Sequence, residues 1–149
     1  MPFSVARWRN KERVLNRIRT LPRYVKEEIR SAIAKEADSI AGDMRRAVPV
    51  HTQELRRSII WQEGRVKGGF KKGIEGDFVA TIHIAPAARF YAHLVEFGTA
   101  AHIQGGKFKG AHHPGTPAQP YFYPTIRAHK RLARQRIARA VKRAVQRSR

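Results

Sequence analysis

One apolar stripe constrains this chain more than any other feature. Val25, Ile29, Ile33, Ala37, Ile40, Met44 and Val48 recur at intervals of three or four residues, the period that places side chains on one face of an α-helix. Thr20 is a residue type that caps helices, the first turn tolerates Pro22, and Pro49 stops the run. Glu27 and Glu28 near the start and Arg45 and Arg46 near the end oppose the helix dipole. The spacing therefore predicts a helix over residues 20–48 with a buried stripe that needs a covering layer. Val14, Leu15 and Ile18 predict a shorter amphipathic helix at 8–19.

Beyond Pro49 the period changes. Residues 55–63 read as a strand running out of a helical turn. Phe78, Ala80, Ile82 and Ile84 alternate with Val79, Thr81, His83 and Ala85, the two-residue period of a strand at 77–85. Between them, Gly64 to Gly73 is rich in glycine and positive charge and reads as a mobile hairpin loop. Residues 87–97 suit a short helix with Phe90, Leu94 and Phe97 on one side, ended by Gly98. Residues 99–119 hold Gly105, Gly106, Gly110, Pro114, Gly115 and Pro117 and no periodicity, so they read as a long loop, with a further strand possible near 99–103 or 120. From Pro124, Ile126, Ala133, Ile137, Val141 and Ala144 or Val145 share one side of a last helix. The expected class is α+β: a long helix packed on a small antiparallel sheet, with a basic C-terminal helix. The expected division is a short helix or arm at 1–19, an α+β core at 20–124 and a basic arm at 125–149.

Charge narrows function. The 149 residues carry 31 Lys and Arg against 11 Asp and Glu, a formal charge of +20. Every acid lies at or before Glu96, so residues 97–149 hold 12 basic residues and no acid. Arg127, Lys130, Arg131, Arg134, Arg139, Lys142 and Arg143 would repel one another in an isolated helix, which is best ordered against phosphates or an acidic protein. Arg65, Lys67, Lys71 and Lys72 form a second cationic group in the glycine-rich loop. No zinc finger, basic zipper or helix-turn-helix pattern is present, so sequence-specific readout is not expected.

Catalysis finds little support. There is no cysteine, which removes thiolate chemistry and Cys-based zinc sites. His102, His112 and His113, with His129 beyond, lack the regular spacing of a zinc set, and no serine sits in a nucleophile elbow. Glu75 and Asp77, flanking Gly76, fit a strand-entry turn better than the carboxylate cluster that a magnesium-dependent nuclease needs. The histidine-rich loop contains no asparagine, and no Gly-Lys-Ser or Gly-Lys-Thr ends a phosphate-binding loop. No enzyme, no metal and no cofactor are expected. No run approaches the ~20 apolar residues of a membrane span, and the N-terminal residues lack the apolar core of a signal peptide, so a soluble protein of a cytoplasm, or one assembled there, is the expectation.

Three segments carry a resemblance. Ala47-Val48-Pro49-Val50-His51-Thr52-Gln53-Glu54-Leu55-Arg56-Arg57-Ser58-Ile59 follows the long helix; Phe90-Tyr91-Ala92-His93-Leu94-Val95-Glu96-Phe97-Gly98-Thr99 ends the short one; Gln119-Pro120-Tyr121-Phe122-Tyr123-Pro124 opens the last. In that order they resemble the neck and tail-completion proteins of long-tailed bacteriophages, a head-tail joining family with minor tail protein Z-like relatives. The resemblance spans about residues 20–130, and Tyr-Ala-x-x-x-Glu-Phe-Gly-Thr is its most specific part. Gln53 stands where the family has glycine, so a left-handed turn there would be strained.

The resemblance implies a non-enzymatic virion protein at the head-tail junction, a homo-oligomeric ring touching head-completion and tail proteins and the backbone of packaged DNA. It implies fold or ring roles for Pro49, Thr52, Leu55, Ser58, Tyr91, Glu96, Phe97, Gly98, Thr99, Pro120 and Phe122. Glu96 is the one charge among Leu94, Val95 and Phe97, and a buried carboxylate needs a partner, here expected to be backbone amides near Thr99 or Arg56. The competing expectation is a cellular protein that binds nucleic acid through the basic arm without regard to sequence.

Overall fold

A computed structural model of the chain describes residues 16, 19–49, 53–64 and 78–147. Helix α1 spans Arg23–Ala47, α2 Gln53–Ser58, strand β1 Ile59–Glu63, β2 Ala80–Ile84, helix α3 Pro86–Phe97, strands β3 His102–Ile103 and β4 His112–His113, and helix α4 Phe122–Arg147. This is the expected α+β class. The helix expected at 8–19 falls outside the described residues except for Asn16 and Arg19, and the cationic loop at 65–73 lies wholly outside them.

The apolar stripe buries as its spacing requires. Val25, Ile29, Ala37, Ala41 and Met44 are buried along α1, and Ile33 and Ile40 pack partly buried against the two core clusters. The start of α1 differs from expectation: Pro22 is the N-cap, with no side-chain cap bond. The Thr20 hydroxyl instead donates to the carbonyl of Asn16 at 3.2 Å.

Helix α4 supplies the cover. It runs antiparallel to α1, since Arg147 pairs with Glu28 at 3.2 Å, Arg136 with Glu36 at 3.5 Å and His129 with Asp43 at 2.6 Å. Ala133, Ala140 and Ala144 are the buried residues of α4. Alanines at these positions let the two backbones approach closely, and the acids of α1 serve as the acidic surface that the cationic helix needs.

Strands β1 and β2 pair antiparallel, with Ile59 opposite Ile84, Trp61 opposite Ile82 and Glu63 opposite Ala80. A two-stranded ribbon is marginal alone. Here Ile59, Trp61, Ile82 and Ile84 join Ala41, Met44, Val48, Leu55, Ala88, Ala92 and Tyr121 in the main core. Trp61 Nε1 also donates to Asp38 at 3.1 Å, and Arg45 Nε to the carbonyl of Ile59 at 2.9 Å. The strand expected at 55–63 begins only at Ile59. Residues 53–58 are helical because Leu55 and Ser58, three apart, are both buried there while Arg56 and Arg57 stay exposed.

Two further expectations need correction. The side of α3 that is buried carries Ala88, Ala92 and Glu96, whereas Phe90 is 80% and Phe97 65% exposed. Residues 99–119, read as a long loop with a further strand near 99–103 or 120, form an ordered hairpin, and β3 lies at the end of the first of those two stretches. Thr99 bridges Thr116, His102 pairs with His113, and Ile103 with His112. These short strands pair only with each other, and residue 120 is not in a strand.

Candidate assembly surface

The first turn of α4 presents backbone N–H groups that have no partner within the helix. Tyr121, just before it, has no side-chain acceptor to cap them. Glu96, on the last turn of α3 and 5% exposed, does this from another helix: its carboxylate accepts from the N–H of Tyr121 and Phe122, each at 2.8 Å, and of Tyr123 at 3.1 Å. Pro124 has no N–H to satisfy. The charge sits where the helix dipole favours an anion. Gln119 N–H donates to the carbonyl of Val95 at 2.9 Å, so α3 and the start of α4 are joined along a four-bond seam. The expected partners, amides near Thr99 or Arg56, are not used. Burial, with the Glu96 charge nearby, pushes the Tyr121 phenol up to about 12.

Gly98 turns the chain out of this seam at φ +72°. A Cβ there would lie 2.6 Å from the carbonyl oxygen of Thr116. Gly115, at φ +85°, meets Thr99 and Ala100 as closely from the other strand. The two glycines flank the Thr99–Thr116 bridge, so the hairpin leaves the body at a fixed angle. Its histidine rings, His102 and His113, stack at 5.0 Å.

A groove of about 740 Å³ opens between α2, α3 and the base of this hairpin. Pro49, Glu54 and Leu55 line one wall, Tyr91, Leu94 and Val95 the second, and Thr99, His102, Gln104, His113, Thr116, Pro117 and Gln119 the third. Residues from all three family-like segments therefore meet around one mainly apolar depression. Beside it Phe90 and Phe97 stand exposed on either side of the half-buried Leu94, and the Phe97 ring lies 5.9 Å from that of Tyr123.

Comparison with protein families supplies the identity of this architecture. The family model described as "Bacteriophage HK97-gp10, putative tail-component" matches residues 12–98, more than half of the chain. The chain belongs to the HK97-gp10-like family of phage tail components. Neither a search of curated proteins nor one of solved structures found a match. The matched stretch includes α1, the β1–β2 ribbon and α3, and ends at Gly98, so the hairpin and α4 lie beyond it. Membership in a family of structural tail components implies a non-enzymatic role within a virion.

In this family member the residues singled out from the sequence fall into distinct settings. Leu55 and Ser58 are buried, Tyr91 and Phe122 half-buried against the main core, and Pro49 lines the groove. The Tyr91 hydroxyl donates to Glu54 at 3.4 Å. Phe97 and Pro120 are exposed. Thr99 is bridged to Thr116, their hydroxyls 3.0 Å apart. Thr52, Arg65, Lys67, Lys71 and Lys72 lie outside the described residues. Gln53 opens α2, and no described residue other than glycine has a positive φ, so the left-handed turn that glutamine would strain is not used.

Arg127, Lys130, Arg131, Arg134, Arg139, Lys142 and Arg143 are all exposed on α4, and among the described residues none pairs with an acid. Elsewhere, the hydrogen bond from Arg46 holds the Asp43 carboxyl below its usual range, and His129 adds to this while partial burial opposes it. Among the described residues no three His, Asp or Glu gather as a metal set, and no helix is long and apolar enough to cross a membrane. Sequence reasoning missed Ile103 and Phe108, exposed on the hairpin, and the place of Glu54 on the groove wall. Isolated apolar residues in a glycine-rich stretch carry no period to mark them.

Proposed function

We propose that this chain is a subunit of the phage neck or tail-completion complex at the head-tail junction, and that it works as a closed ring. The carrying observation is the pair Phe90 and Phe97, exposed two turns apart on the same side of α3, with exposed Tyr123 beside Phe97. Large aromatics left exposed on one side of a folded domain mark a surface made for another protein, and joining two ring-symmetric objects calls for repeated equivalent contacts. In this reading the core at 20–124 is the assembly unit, and Glu96, Gly98 and Thr99 hold the hairpin and α4 in position for it.

The segment at 125–149 faces the backbone of packaged DNA. Its seven cations, none paired with an acid among the described residues, extend over about 24 Å of helix and wrap the sides of α4 that the alanines do not seat on α1. Protein interfaces centre on apolar, desolvated side chains, and Leu132 is the one large apolar residue exposed there. A polyanion of regular charge suits this face better than an acidic protein. Arg65, Lys67, Lys71 and Lys72 are a second group of candidate cations for the same polyanion.

Complementation of a phage lacking this gene tests the reading. Wild-type protein should restore joined particles, and the Phe90→Ser, Phe97→Ser double variant should leave filled heads and free tails in electron micrographs, although the purified variant melts as wild type does. Joined, infectious particles from the double variant would overturn it. A cellular nucleic-acid-binding role instead requires normal particles without the gene.

A further inference from the structure

The hairpin and the groove at its base are unlike surfaces of one chain, and each lacks what the other offers. The tip, Gly105 to Gly110, displays Phe108, 62% exposed, between Lys107 and Lys109, and Ile103 on the adjoining strand is 72% exposed. Neither side chain fills the groove of its own molecule. The groove is mainly apolar and, at about 740 Å³, has room for an aromatic side chain with an aliphatic one beside it. On its wall stands Glu54, exposed, with the Tyr91 hydroxyl as its partner and no cation paired to it among the described residues. In a chain of charge +20, an acid left without a cation marks a place where one can be supplied from outside.

We propose that the hairpin tip of one copy inserts Phe108 into the groove of the next, with Lys107 or Lys109 reaching Glu54. The occupant is a second copy of this chain because the knob and the hole, apolar against apolar and cation against anion, are both carried by it. A contact between two different patches is head-to-tail, and such contacts close into rings or extend as filaments. Gly98 and Gly115 matter here because they set the angle of the hairpin, and hence the rotation between neighbours. The inference rests on the ring reading and adds the contact that makes the ring.

The absence of cysteine makes the test direct. Lys109→Cys and Gln119→Cys are prepared as separate full-length variants, mixed, oxidised mildly and run on a non-reducing gel, while light scattering reports the mass of each. A disulfide-linked dimer from the mixture, absent from either variant alone, is expected. Phe108→Ala, whose side chain is exposed in the protomer, is expected to weaken self-association about tenfold. An oligomer of wild-type mass with no mixed disulfide overturns the tip-in-groove contact while leaving the ring. Linkage in Lys109→Cys alone shows tip meeting tip and overturns it too. A monomer at every concentration overturns both.

Discussion

Glu96 shows how one side chain can join two elements distant in sequence. Three backbone N–H groups converge on its carboxylate in a nearly dry setting, where hydrogen bonds to a charged group are stronger and unmet donors cost most. Glu96→Ala is expected to lower stability by about 3 kcal/mol, read from urea unfolding. Glu96→Gln, which keeps an acceptor oxygen but loses the charge at the helix start, should cost about 1 kcal/mol; alanine melting as wild type would refute this role. The sequence marks Glu96 by its apolar neighbours. It cannot mark the partners, because backbone amides 25–27 residues further on have no signature of their own. Tyr121 adds a pH dependence. Its phenol is raised from 10.0 to about 12, so the folded state holds the proton more tightly than the unfolded state. The associated stability is complete below pH ~10 and lost as pH climbs towards ~12. In Tyr121→Phe the alkaline limb of the stability curve should be shallower; an unchanged limb would place the cause elsewhere.

At the scale of elements, α1 and α4 form the frame. The stripe from Val25 to Val48 is legible in the sequence because it repeats over many turns, and so is most of the apolar side of α4, although the buried alanines Ala41 and Ala140 carry too little hydrophobic signal to be picked out. Their pairing is not, since Glu28, Glu36 and Asp43 find Arg147, Arg136 and His129 only after the chain returns. Those surface pairs are each worth about 1 kcal/mol or less, and they act mainly to set register. For α3 the sequence gives away the position of the helix but not its orientation. Apolar residues occur on more than one of its sides, and periodicity alone does not say that Ala88 and Ala92 seat against the core while Phe90 and Phe97 stay out. The hairpin is hidden because its strands are two residues long and its stability rests on backbone approach. Gly115→Ala meets both a positive φ and the backbone of Thr99 and Ala100, and should lose about 2 kcal/mol together with the amide protection of Thr99 and Thr116 in hydrogen exchange. Protection at wild-type levels would mean that the bridge survives a side chain there.

For the whole molecule, the uneven distribution of charge is the organising fact. Among the described residues Glu96 caps α4, and Glu28, Glu36 and Asp43 are its partners on α1, while the surplus cations of the back half are left outward. Affinity for duplex DNA should therefore be independent of sequence and fall steeply with salt, and neutralising one phosphate-binding cation, as in Arg127→Gln, Arg131→Gln or Arg134→Gln, should reduce the slope by about 1. Fluorescence anisotropy across a salt series measures this, and slopes identical to wild type would remove α4 from the interface. Self-assembly is the claim on which the rest of the functional account depends. Light scattering of the purified protein in moderate salt, with absorbance read at two wavelengths across the same peak, tests it most directly. The account predicts one discrete multiple of the protomer mass, and a protein that stays monomeric at all concentrations while carrying nucleic acid would contradict it.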